Sequence, residues 1–154
     1  MKSLRVFNRQ KSRPMDRPFL VQIARHLVNN ILEWNDYEIA VHLVDADEMA
    51  RVHAQFLQCH ASTDVITFDY REKENEWRGE IFISVADAEA QARQYQCSWQ
   101  EEVARYLIHG LLHLAGYDDT KPELRRVMKR RENKWLKDLS RRFVLRKLER
   151  RKDG

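Results

Sequence analysis

The spacing of apolar residues divides the chain into alternating strands and helices. Alternating or β-branched runs predict strands at Leu4–Arg9, Tyr37–Val44, Ser62–Tyr70 and Gly79–Val85. A polar stretch separates the last two, so we expect them to form a hairpin with a longish loop. The pattern therefore predicts a sheet of about four strands.

Helical periodicity fills the segments around these strands. Apolar residues recur with a helical period from Phe19 to Leu32. Asp45 is a suitable N-cap for a helix that ends near Leu57, and the Ala- and Gln-rich segment Ala86–Cys97 predicts another. The first two of these helices connect predicted strands, and the third follows the last strand.

The second half of the chain is predicted to hold two longer helices. Ser98 and Glu101 form a capping box for a helix that runs to about Ala115, and Gly116 is suited to end it. A basic helix is then expected from Lys121 to about Lys152. Its C-terminal half could project from the domain as an arm.

Length and composition fit one soluble α+β domain. We predict a mixed sheet packed with five or six helices over residues 1–154, with 137–154 as a basic C-terminal extension. A length of 154 residues and 43% apolar content suffice for one core. The chain lacks a signal-peptide pattern and an apolar run of the roughly 18 residues that span a bilayer. Its two cysteines, Cys59 and Cys97, exclude a disulfide scaffold and a four-cysteine zinc site, so a cytoplasmic protein is expected.

Charge is strongly segregated along the chain. Residues 1–17 carry +5, residues 18–124 carry −11 and residues 125–154 carry +10. Basic ends around an acidic middle indicate a polyanionic partner, with nucleic acid first and a membrane surface second. The alternative is that the basic helix is simply a solvated face.

A histidine pair is the main candidate for chemistry. His109 and His113 lie four residues apart on one predicted helix, so their imidazoles share a face and can bind one metal. The chain turns at Gly116, and the turn brings two acids back toward the histidines. Asp119 is the preferred third ligand and Asp118 is the reserve. The alternative is that both histidines are ordinary packed helix residues.

The residue between the histidines bears on the type of metal site. Metallopeptidases use H-E-x-x-H, in which the glutamate is the general base. Gly110 stands at the glutamate position and offers no base. The ligand spacing therefore fits a metallopeptidase, but the general base of its mechanism is missing.

Three motifs resemble the bacterial endoribonuclease YbeY family of ribosomal RNA maturation factors. H-G-L-L-H-L-A-G-Y-D-D at 109–119 is similar to the family's histidine signature. S-T-D-V-I-T-F at 62–68 and G-E-I-F-I-S at 79–84 resemble two of its strands, in the same order. The resemblance covers about 39–135.

The resemblance implies a single α+β domain with one zinc ion, or another divalent transition metal, per chain. His109 and His113 match the first two histidine ligands, and Asp119 stands where the family has a third. The implied activity is single-strand-specific RNA cleavage in maturation of the 16S ribosomal RNA 3′ end and in ribosome quality control. Implied partners are ribosomal RNA and the small subunit, with ribosomal proteins or a GTPase assembly factor as further candidates, and no membrane.

The catalytic residues are left open by the sequence. Many family members carry an arginine where this chain has Leu57. The candidates are a metal-bound water with assistance from His60 or Asp64. A non-catalytic ribosome-assembly protein with a structural metal is the first alternative to the nuclease, and a metallopeptidase-like hydrolase is the second.

Overall fold

A mixed β-sheet forms from the alternating apolar runs. The computed structural model describes residues 1–55, 60–61 and 64–151. The strands of this part of the chain are β1 Lys2–Asn8, β2 Tyr37–Val44, β3 His60–Ala61, β4 Val65–Asp69 and β5 Trp77–Ser84. The four longer strands match the predicted set, and the two-residue β3 adds a short fifth.

The strand order is β1-β2-β5-β4-β3. Strands β1, β2 and β5 run parallel, so that Val41 pairs with Val6 on one side and with Ile81 on the other. Strand β4 is antiparallel to both β5 and β3, which confirms the hairpin predicted from the sequence.

Three of the helices begin at polar caps, and the helices cover both faces of the sheet. The carboxylate of Asp16 accepts from the Phe19 N–H, and Ser84 and Ser98 cap later helices in the same way. The helices are α1 Arg17–His26 with a π-helical continuation Leu27–Ile31, α2 Ala46–Gln55, α3 Val85–Gln94, α4 Trp99–Leu114 and α5 Pro122–Arg142. Within the described residues, none of them has the length and apolar character needed to cross a bilayer.

Helix α4 lies at the centre of the main hydrophobic core. Its apolar residues, including Leu107, Ile108 and Leu111, are fully buried together with inward-facing strand residues such as Val41 and Ile81. Helix α2 covers part of the other sheet face, where a smaller cluster forms from Val44, Met49, Ile66 and Phe82. The architecture is α+β, as the sequence predicts.

Two glycines let α4 approach β5 closely. A Cβ atom on Gly110 would lie 2.6 Å from the Ile81 Cγ2 atom. A Cβ atom on Gly79 would lie 2.6 Å from Leu114 Cδ2 and 2.8 Å from the carbonyl oxygen of Phe68. The helix and the strand are therefore in contact at a distance that side chains at these positions would prevent.

The predicted C-terminal helix is too long. Helix α5 ends at Arg142, Phe143 is extended, and the chain forms a short 3₁₀ helix at Leu145–Leu148. Leu148 is fully buried, and backbone hydrogen bonds join Leu148 to Asp16 and Arg150 to Pro14. Residues 143–151 therefore fold back against the N-terminal region and do not project as a helical arm.

Replacing Gly110 by alanine should destabilise the protein, although alanine favours helices. The intrinsic gain of about 0.8–1.0 kcal/mol is outweighed by overpacking against Ile81, which costs about 1–3 kcal/mol. We expect the free energy of unfolding of Gly110→Ala, measured with urea, to fall by about 1–2 kcal/mol.

The matched control shortens the Ile81 side chain to that of alanine. Ile81→Ala should cost less in the Gly110→Ala background than in the wild type, because it also removes the clash. A Gly110→Ala protein that is more stable than the wild type would contradict the close contact between α4 and β5.

Candidate metal centre

The last turns of α4 bring two imidazoles together. His109 and His113 lie one turn apart, and their Nε2 atoms are 3.1 Å from each other. The side chain of His113 is 7% exposed and that of His109 is 21% exposed. The pair is therefore rooted in the core and open on one side.

The end of α4 fixes the ring of His113. Gly116 has φ +104°, and the N–H groups of Gly116 and Tyr117 donate to the carbonyls of His113 and Leu112. This is the Schellman pattern, for which glycine is favoured because of its positive φ. The reversed chain places the carbonyl of Tyr117 3.1 Å from His113 Nδ1. A carbonyl can only accept, so Nδ1 carries a proton, and in the neutral imidazole Nε2 presents a lone pair.

The two acids after the turn have different surroundings. The carboxylate of Asp118 accepts from the N–H groups of Asp119 and Thr120 and from the Thr120 hydroxyl. In contrast, Asp119 Oδ2 lies 3.6 Å from the Nε2 atoms of both His109 and His113. Asp119, the preferred third ligand, is the acid that faces the histidine pair, whereas Asp118 shapes the loop.

A buried carboxylate orients His109. Glu132 of α5 is 6% exposed, and its Oε2 atom lies 2.6 Å from His109 Nδ1. Because the carboxylate accepts, Nδ1 donates, and in the neutral imidazole the Nε2 lone pair of His109 then faces His113. Arg105 lies near the second oxygen of Glu132, at 3.7 Å, and balances part of its charge.

With both imidazoles neutral and donating through Nδ1, three acceptor atoms meet at one point. The Nε2 atoms of His109 and His113 and the Oδ2 atom of Asp119 form one group whose members could hold a metal ion. Their separations of 3.1, 3.6 and 3.6 Å suit a common ion, since tetrahedral ligands about 2.0–2.1 Å from zinc are roughly 3.3 Å apart. The donor set fits a zinc-class cation with a further position left for a small molecule.

The group opens onto a cleft of about 990 Å³ between α4 and α5. Burial, then the charge of Asp64, raises the pKa of Tyr106 in this cleft, so its hydroxyl stays protonated at neutral pH. Burial, then the charge of Glu102, raises the pKa of the Cys97 thiol to about 11. Cys97 is therefore a neutral thiol at neutral pH and a poor nucleophile.

The predicted site residues have different outcomes. His109, His113 and Asp119 come together, and Asp64 lines the same cleft. Leu57 and Cys59 and the side chain of His60 lie outside the described residues. Glu132 was not predicted from the sequence, although it is the one acid on the buried stripe of α5, which is described in full. An acid at a core position of a helix is the signal that could have found it.

The fold and the site define an α+β protein with a candidate mononuclear metal centre. A family model for Endoribonuclease YbeY matches residues 5–140. The chain therefore belongs to the endoribonuclease YbeY family, as its three sequence motifs suggest.

Individual relatives agree with this assignment. The Endoribonuclease YbeY of Bacteroides fragilis is 39% identical over 99 residues, which cover 64% of this chain and 70% of the relative. That of Chlorobaculum tepidum is 35% identical over 138 residues, covering 86% and 95%. The solution structure of TM1509 from Thermotoga maritima has a TM-score of 0.62 and 27% identity over 88% of both chains.

The histidine pair should determine the metal content. Protein purified without a histidine tag should contain about one zinc-class ion per chain by elemental analysis, and His113→Ala should lose it. The control is His53→Ala on α2, which should keep the metal. Equal, sub-stoichiometric metal in the wild type and in His113→Ala would contradict the site.

Glu132 should strengthen metal binding without touching the ion. Glu132→Gln weakens the hydrogen bond that orients His109 and should reduce zinc affinity by about 10- to 100-fold in a chelator competition. Glu101→Gln removes the same charge from the same cleft and serves as the control. If the two variants lose affinity equally, the effect is general electrostatics and not orientation of the ligand.

Proposed function

We propose that the chain is a metal-dependent endoribonuclease that cleaves single-stranded RNA in ribosomal RNA maturation. The observation that carries the proposal is the convergence of the His109, His113 and Asp119 acceptor atoms at the mouth of a cleft. Membership of a family named for endoribonuclease activity supports the reaction class. A ribosomal RNA substrate would place the protein in the cytoplasm, with the small ribosomal subunit as its partner.

Different residues of the chain are assigned to binding a metal and to orienting its ligands. We assign the metal to His109, His113 and Asp119, with zinc as the expected ion. When bound, a zinc-class ion supplies Lewis acidity at a phosphodiester and lowers the pKa of water. Glu132 and the Tyr117 carbonyl hold the two imidazoles in the tautomer that leaves Nε2 free to ligate.

Asp64 is our candidate for proton transfer among the described residues. It lines the cleft with His109 and Asp119, beside the neutral hydroxyl of Tyr106. A carboxylate in that place can accept a proton from an attacking group.

The packing of Gly110 argues against a metallopeptidase. The metallopeptidase motif needs a glutamate at this position, but the position faces the Ile81 side chain, where even a Cβ would lie at 2.6 Å. The histidine pair is thus built into a close helix–strand contact that leaves no room for that base.

A cleavage assay tests the proposal. Metal-loaded protein should cut a labelled single-stranded ribosomal RNA fragment, and chelator or His113→Ala should reduce cutting to the buffer level. His53→Ala should cut like the wild type. Cutting that survives both chelation and His113→Ala would contradict a metal-dependent reaction.

The same assay separates the nuclease from a non-catalytic assembly protein. A binding experiment on the uncut fragment is run beside it. Tight binding by fully metal-loaded wild type with no cleavage would overturn the nuclease and favour a structural metal.

A further inference from the structure

One wall of the cleft is basic, and it belongs to the first half of α5. Arg125, Arg126 and Lys129 line the cleft together with His109 and Asp119. All three basic side chains are exposed. Their charges therefore face solvent beside the candidate metal centre.

Helix geometry turns Arg131 and Lys134 away from these residues. At about 100° per residue, Arg131 lies about 140° round the helix from Arg126, and Lys134 about 140° from Lys129. Arg131 and Lys134, with Val127 and Arg130, form a different exposed surface. Helix α5 thus has two basic surfaces, of which one adjoins the metal group.

Two of the five described acids that line the cleft are paired with groups outside this wall. Glu102 and Glu132 are buried, and both lie near Arg105. Glu132 is also bonded to His109. The exposed bases of α5 are left as the part of the cleft best suited to attract an anion.

The wall is connected to the metal group through the backbone. The Nη1 atom of Arg125 donates to the carbonyl oxygen of Asp119 at 3.3 Å. This contact joins the start of α5 to the loop that carries the third acceptor. An anionic chain held by the wall would therefore lie next to the three acceptor atoms.

We propose that Arg125, Arg126 and Lys129 form a phosphate-binding wall that guides the backbone of single-stranded RNA to the metal centre. The proposal rests on the proposed function for its substrate. Contacts of this kind are independent of base sequence, because exposed cations bind phosphates and release counterions. The wall would supply cationic contacts to RNA beside the candidate metal centre.

Two matched double variants test the wall. Arg126→Gln/Lys129→Gln removes one arginine and one lysine, spaced three apart, from the cleft. Arg131→Gln/Lys134→Gln removes the same pair at the same spacing from the other surface. Arg125 is left intact so that the loop of Asp119 is undisturbed. Exposed positions are used so that both variants fold, which circular dichroism checks.

Affinity for a short fluorescein-labelled oligouridylate is measured by anisotropy over a range of salt, with chelator present to prevent cleavage. The cleft variant should lower the slope of log K against log salt by about 1.4, since each neutralised phosphate of a single strand contributes about 0.7. The control variant should change the slope by less than half as much. Equal changes of the slope in the two variants, or no change in the cleft variant, would contradict the phosphate-binding wall.

Cleavage by metal-loaded wild type separates this proposal from the proposed function. Binding that depends on the wall but leads to no cleavage would overturn the function and support the surface. Cleavage with equal binding by the two variants would support the function and overturn the surface. A wild type that neither binds nor cleaves RNA would overturn both.

Discussion

The close contact between α4 and β5 is the constraint on which the rest of the structure depends. Gly110 and Gly79 remove the two side chains that would hold the helix away from the sheet. The helix then enters the core with its apolar face buried, and its last two turns carry the histidines at the edge of that core. Because the histidines are set on a helix pressed against a strand, their relative position does not depend on loop structure.

A second constraint concerns which ring nitrogen of each histidine carries the proton. A carbonyl from the helix end and a buried carboxylate from α5 each accept a hydrogen bond from the Nδ1–H of one histidine. Both Nε2 atoms then face one another as acceptors, with the carboxylate of Asp119 beside them. The hydrogen bonds at the back of the rings orient the neutral imidazoles so that their Nε2 atoms and the Asp119 carboxylate can bind one metal ion. Asp119 suits this arrangement because its carboxylate adds a negative charge beside the two Nε2 atoms. The loop that follows the Schellman turn places it there.

Sequence patterns predicted the regular elements well because their signals are local. The strands, the capped helix at Ser98 and the turn at Gly116 all follow from spacing or from one residue's conformational preference. The end of α5 was not predicted correctly, because the apolar residues after it fit a helix as well as a folded-back segment. Packing of Phe143 against Phe19 and His26, and burial of Leu148, decide the outcome, and both are long-range contacts. Glu132 was missed for the same reason, because its partner lies 23 positions away on another helix.

The most direct test of the account is where a metal binds and through which atoms. Crystals of the zinc-loaded protein, measured on both sides of the zinc absorption edge, would locate the ion by its anomalous signal. The account predicts one peak about 2.0–2.2 Å from His109 Nε2, His113 Nε2 and an oxygen of Asp119, with Glu132 still bonded to His109 Nδ1. A peak bound through Nδ1, or one away from these three residues, would contradict it.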